Sequence, residues 1–259
     1  MKLNSREKVK GTMNAFLYYL TLISALFIDA LSFKISISHP PSRLPRYSLS
    51  SLRDTSSKDP VIEATSLWVQ RVVIANELCP WVAGVFNQGL LKSVAYYSNI
   101  SLSDEDNYRM VHDYVIDEAL ALSQSNSNNT NNNSNDSTVY TSTLVILPNV
   151  TKFNTYLQLV EQIEETLYIL KLDTILQIAT FHPNYIFDNT TKNDVTNYTN
   201  RSPYPIIHYL LVAQVTKAVE SYDGKTDIIY ENNMNNMNKI GIQQMRQTLK
   251  DIMTDSQNG

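Results

Sequence analysis

The chain has 259 residues, 43% of them hydrophobic, with a formal net charge of -4 and a pI near 5.6. That balance provides no basic face of the kind that holds nucleic acid. A single cysteine, Cys79, excludes an intrachain disulfide, so a hydrophobic core has to stabilise the fold.

Residues 1–32 read as a signal peptide. Lys2, Arg6, Lys8 and Lys10 precede an apolar run from Ala15 to Ala30, and Ala30 and Ser32 supply small residues at the two cleavage positions. The run falls short of the about 20 residues a spanning helix needs, so the mature form is expected to carry no membrane anchor. Residues 33–60 read as a transit peptide or disordered leader. Phe33 follows the expected cut, and the Ser-rich stretch holds Lys34, Arg43, Arg46, Arg53 and Lys58. This arrangement resembles the two-part leader of algae with secondary plastids and implies a plastid protein. The alternative is secretion, with sequons at Asn99, Asn149, Asn189, Asn197 and Asn200 as glycosylation candidates.

Residues 61–222 have the signals of one packed domain. Ile62, Val69, Val72, Val73 and Leu78 recur at helical spacing over 61–78, and Pro80 ends the helix. Leu91–Tyr97 suits a short strand. Ser103 with Asp104, Glu105 and Asp106 forms a helix start, because side-chain acceptors meet the free backbone N–H groups and the acids complement the dipole. Residues 123–138 are an Asn/Ser tract without apolar side chains, expected to be a disordered insertion.

Thr143–Leu147 reads as a buried strand. The 151–171 segment is the clearest helix, with Phe153, Tyr156, Val160, Ile163, Leu167 and Leu170 on one stripe. Thr174–Thr180 is another buried strand, and a further helix is expected from Pro203 to Ser221. Residues 223–259 read as a polar tail with a short helix over 240–253. The alternation of elements predicts an α/β (or α+β) single domain with a small sheet of about three to four strands packed with helices.

Two segments gather the residues suited to chemistry: Thr180–Tyr185 and Asn197–His208. His182 leaves a strand at its C-terminal end, where α/β sheets place ligand crevices, and it titrates near neutral pH. It is the first candidate for a general acid or base, against the plainer role of a strand-end His bonded to its own loop. Arg201 and Ser202 precede Pro203 at an expected helix start, an arrangement that favours an anion. His208 lies a few residues further on and is a second catalytic candidate. Asn200 and Tyr185 stand as substrate-binding candidates, Tyr185 with the alternative of covering the core.

Cys79 and Asp194 complete the candidate set. Cys79 is expected to be a small buried hydrophobe, since neither a helix N-terminus nor a cation is visible beside it. With His182, His208 and Asp194 it would make a metal set only by convergence in space. Short His/Cys zinc spacings, a Gly-rich phosphate loop and a nucleophile elbow are all missing from the sequence, so no metal is assigned and the cofactor is unknown.

The blocks Asn76-Glu77-Leu78-Cys79-Pro80-Trp81, Thr143–Pro148, Phe181-His182-Pro183 with Tyr185 and Phe187, and Asn200-Arg201-Ser202-Pro203-Tyr204-Pro205 with His208 resemble domain of unknown function family 1415. The resemblance covers about residues 61–222 outside the Asn tract. It implies a relative in bacteria and plastid-bearing eukaryotes and carries no established activity. Cys79, His182, Asn200, Arg201 and His208 fall in its signature blocks. Where the family pattern has Arg-Glu this chain has Leu211-Val212, which puts substrate specificity in question; Trp81-Val82 replaces the usual Phe-Ala. Together these readings predict a small-molecule enzyme of hydrolase or transferase type with a cleft for an anionic metabolite. The alternative is a non-catalytic metabolite- or partner-binding plastid protein.

Overall fold

The computed structural model describes residues 59–98, 104–128, 140–222 and 227–258. The predicted leader over 1–58, the Ser103 cap and most of the Asn/Ser tract lie outside them.

Helix α1 (Pro60–Trp68) starts on Asp59, whose Oδ1 accepts from the Val61 N–H at 2.9 Å, with Pro60 at the first helical position. It widens into a π-helical turn over Val69–Ile74, then a short α2 (Val82–Asn87) and strand β1 (Leu91–Ala95) follow. Helix α3 (Asp104–Asn128) runs several residues into the tract read as disordered. Its Leu122 and Ser123 are buried, so packing of the helix end outweighs local composition there. Strand β2 (Ser142–Ile146), helix α4 (Phe153–Ile169) and strand β3 (Leu176–Phe181) come next, close to their predicted bounds.

The largest departure follows. The expected helix from Pro203 to Ser221 is strand β4 (Ile206–Leu211) and then helix α5 (Val212–Ser221). Ile206-Ile207-His208-Tyr209-Leu210-Leu211 is a continuous apolar run, and a strand buried on both faces shows no alternation to separate it from a helix. The segment read as a polar tail forms two further helices, α6 (Asp227–Ile240) and α7 (Ile242–Asn258). Met237, Met245 and Ile252 are fully buried, so a narrow apolar stripe docks otherwise polar helices.

The four strands form one mixed sheet in the order β1-β2-β4-β3. β1 and β2 are parallel, while β4 is antiparallel to both β2 and β3. β3 therefore runs parallel to β1 and β2, and β4 is inserted between β2 and β3. This is a single-domain α/β fold.

Alternation along the strands sorts two cores. Val145, Ile207, Tyr209 and Leu211 point toward α3 and α4. Leu144, Ile146 and Ile206 point the other way, toward Trp68 of α1 and the buried methionines of α6 and α7. Tyr156 on α4 pins the sheet edge from the first side. Its hydroxyl donates to the Ile206 carbonyl at 2.7 Å and accepts from the Phe181 N–H at 3.2 Å.

Candidate functional site

The loop between β3 and β4 holds most of the polar residues singled out from sequence, and it spends them on itself. Asn197 is fully buried; its Oδ1 accepts from the Phe187 N–H at 2.8 Å and its Nδ2 donates to the Thr191 carbonyl at 2.8 Å. Asn200 donates from Nδ2 to the Thr180 carbonyl at 3.0 Å, and its own carbonyl accepts from the His182 N–H at 3.1 Å. Arg201 donates from Nε to the Tyr185 carbonyl at 3.0 Å and from Nη2 to the Lys192 carbonyl at 2.9 Å. Its guanidinium lies 4.7 Å from the Tyr198 ring centroid, a cation–π contact.

The anion site expected at a helix start beside Arg201 loses its premise, because a strand stands where that helix was expected. Ser202 caps nothing: its hydroxyl donates to the Tyr204 carbonyl inside the same turn. Tyr185 is buried between Phe153 and Phe187, with ring centroids 5.5 and 5.0 Å away. Asp194 takes the cap of a short 3-10 turn over Val195–Thr199, its Oδ1 accepting from the Thr196 N–H at 2.9 Å. Asn197 and Asn200 are sequons in sequence and buried in space, so neither accepts a glycan in the folded protein.

The two histidines part company. His182 packs its ring against Phe153 and Tyr156 of α4, with centroids 5.0 and 5.1 Å apart, and is completely buried. Its Nδ1 accepts from the Asn184 N–H at 3.0 Å, which leaves Nε2 as the protonated nitrogen. Burial lowers its pKa to about 4, opposed by the backbone of Val150 and Thr151. His208 stands in the middle of β4 with its ring on the opposite side of the sheet, beside Phe181 at 6.5 Å. Burial lowers its pKa to about 4 as well. Its Nε2 is enclosed and has no hydrogen-bond partner.

His208 forms part of the floor of a cavity of about 430 Å³ on the α1 side of the sheet. Leu144, Ala179 and Phe181 complete the floor, Trp68 and Val73 of the first helix make one wall, and α2 and α5 cover the rest. A ring contact between Trp81 and Tyr222, 5.8 Å between centroids, ties the start of α2 to the end of α5. Its size falls within the range of about 300–1,000 Å³ usual for small-molecule pockets, and its surface is overwhelmingly apolar. A smaller chamber of about 130 Å³ adjoins it across Val73, Cys79, Ala179 and Phe181 and reaches Asn200 and Asn233.

Cys79 therefore borders both spaces. It precedes α2, where the Trp81 and Val82 N–H groups approach the sulfur, an environment the sequence did not reveal. Burial nevertheless outweighs those bonds and pushes the thiol up, so it is held protonated. Cys79, His182, His208 and Asp194 do not converge, and no cluster of three or more His, Cys, Asp or Glu suited to a metal occurs among the described residues.

Helix α5 contributes the residues sequence reading missed. Gln214, Lys217, Ala218 and Ser221 line the cavity as one stripe, at the 3- and 4-residue spacing of a helix face. The spacing was present in the sequence but only gains meaning once β4 is known to be a strand. Leu211, at the β4–α5 junction, borders the cavity although its side chain is buried in the core on the α3–α4 side.

Sheet and cavity together define an α/β protein whose enclosed space lies on a sheet face, not in a crevice at the strand ends. The chain belongs to the family described as protein of unknown function (DUF1415), whose family model matches residues 60–247. No curated protein and no solved structure matches it. The family match runs beyond the 61–222 core read from sequence and takes in α6 and the first part of α7. No helix among the described residues is long and apolar enough to cross a membrane.

Proposed function

We propose that this protein binds a predominantly apolar small molecule in the sheet-face cavity, with His208 as the polar contact that orients it. The observation that supports this reading is a 430 Å³ apolar space whose floor includes the imidazole of His208, a ring that keeps its enclosed Nε2 without a partner in the protein. A buried polar nitrogen without a partner costs about 1–3 kcal/mol, and such groups in folded proteins call for a reason. A ligand bearing a hydroxyl, amide or acid proton supplies the missing bond once the ring turns that nitrogen toward the cavity. At neutral pH the imidazole is uncharged, so it accepts that hydrogen bond without bringing an ion into the cavity.

Catalysis is a second reading, favoured by one observation: Cys79 and His208 line the same cavity. A thiol and an imidazole sharing one space are the elements of nucleophile and base for acyl transfer. On this second reading Cys79 and His208 would carry the hydrolase or transferase chemistry in place of His182 and Arg201. Residence in the plastid is proposed on the leader sequence, and a fluorescent fusion of residues 1–60 tests it.

Thermal unfolding of the whole protein against a panel of apolar alcohols, amides, acids and thioesters tests the binding reading. A ligand at 100 times its Kd adds about 2.7 kcal/mol. The expected result is a rise in Tm that disappears in Ala218→Trp, which fills the cavity from α5. A rise that survives Ala218→Trp puts the ligand elsewhere, and a panel without any rise rejects the proposal.

A further inference from the structure

The cavity has one ionic feature, and it is at the mouth. Among the described residues that line it, Lys217 is the only Lys, Arg, Asp or Glu. His208 and Cys79 are neutral at physiological pH, the first because burial disfavours its cation and the second because burial disfavours its thiolate. Lys217 is exposed on α5, and no ion pair engages it among the described residues. Gln214 and Ser221 flank it one turn to either side on the same stripe. The interior is therefore apolar and uncharged, while the rim presents one ammonium with two neutral polar neighbours. Lys side chains at such boundaries keep the charge in water and lay their methylenes along apolar surface.

We infer that the ligand is a free single-chain amphiphile with an acidic headgroup, its chain in the cavity and its anion at Lys217. This rests on the cavity being a binding site, as proposed above, and adds the ligand's class and polarity. An acidic headgroup at the mouth keeps its own hydration on one side and gains a charge-assisted bond from Lys217 on the other. Buried deeper, it would meet no cation and a large desolvation cost. A cationic amphiphile would face Lys217 as a like charge. The anion expected from sequence beside Arg201 is thus assigned to Lys217, a residue the sequence did not single out.

Decanoate and decanol are the probes, titrated into the full chain by calorimetry, with Lys217→Met and Lys217→Arg variants. The expected result is about tenfold tighter binding of decanoate than of decanol, a preference lost in Lys217→Met and kept in Lys217→Arg. Unchanged unfolding temperatures in both variants show that the fold is intact, as an exposed position requires. Equal binding of both probes by wild type, or an acid preference that persists in Lys217→Met, overturns the headgroup assignment while leaving the cavity reading standing. Failure of both probes to bind wild type overturns the cavity reading for chain amphiphiles, and this inference falls with it.

Discussion

His182 and His208 lie on opposite faces of the same sheet, the first stacked on Phe153 and Tyr156 of α4 and the second lining the cavity on the α1 side. They cannot act on one substrate atom or hold one metal ion. Their substitutions should therefore separate. His182→Ala removes a fully buried ring from an aromatic cluster and is expected to cost about 3 kcal/mol, as large-to-small core changes do. Ligand binding in the cavity should be unaffected.

His208→Leu should do the reverse. Leucine removes the unpartnered nitrogen from an apolar surface of similar shape, so the free protein should gain about 1 kcal/mol and melt roughly 2–4 °C higher. Binding of any ligand that donates a hydrogen bond to the ring should weaken in the same variant. Unfolding and titration on both variants check the pair. A His208→Leu protein that is less stable and binds normally would mean that the imidazole is a core residue only.

Arg201 ties its own loop together. Arg201→Met leaves the Tyr185 and Lys192 carbonyls without donors and removes the cation from Tyr198. The expected loss is about 2–4 kcal/mol, measured by chemical denaturation. Arg201→Lys should recover little of it, because an ammonium cannot reproduce the planar fork that reaches two separate carbonyls. Restoration of wild-type stability by lysine would show that charge alone matters at this position.

How much of this was legible in the sequence divides along physical lines. α4, β2 and β3 announced themselves, because each has a regular period or a short β-branched run closed by turn residues. β4 did not, since its apolar run is continuous and is followed without a break by the helical Val212–Ser221. That single misreading shaped the anion-site expectation. It turned Ser202 into a helix cap, gave Arg201 a dipole to work with and hid the α5 stripe. The polar motif residues do gather in one loop, but hydrogen bonds within a loop and hydrogen bonds to a ligand draw on the same amides and hydroxyls. Composition also undersold α6 and α7, which dock through Met237, Met245 and Ile252 with Ile240, Leu249 and Met253 packed beside them.

The link between those two helices makes its own prediction. Gly241 separates α6 from α7 with φ at +80°, and its N–H donates to the Met237 carbonyl at 2.9 Å. A Cβ added there meets nothing within 4 Å, so any penalty of Gly241→Ala comes from backbone conformation alone. The expected cost is about 1–2 kcal/mol. Unfolding of the Gly241→Ala protein checks this, and an unchanged midpoint would show that the helices tolerate a different link.

Stability against pH follows from one buried and two partly buried groups that work in opposite senses. His182 and His208 each have a folded pKa of about 4 against an ordinary 6.5. As pH falls from 6.5 towards 4 the unfolded chain gains both protons and the folded one does not, so stability is lost. Glu164 is opposite: burial, and then repulsion from Glu161, raise its pKa from 4.5 to about 7. The folded state holds that proton longer, so this group's contribution is full below 4.5 and is lost as pH rises through 7. Between about pH 5 and 6 the three give two protons one way and one the other. Each proton is worth about 1.4 kcal/mol per pH unit. Relative to wild type, His208→Leu should lower the slope of unfolding free energy against pH by one such increment. Glu164→Gln should raise it by one, and at pH 8 it should be the more stable protein by about 1–2 kcal/mol after allowing for partial solvation. Denaturation curves at pH 5.0, 5.5 and 6.0 on the three proteins measure the slopes. Equal slopes for wild type and His208→Leu would show that the ring takes up its proton in the folded state and that the cavity floor is wet.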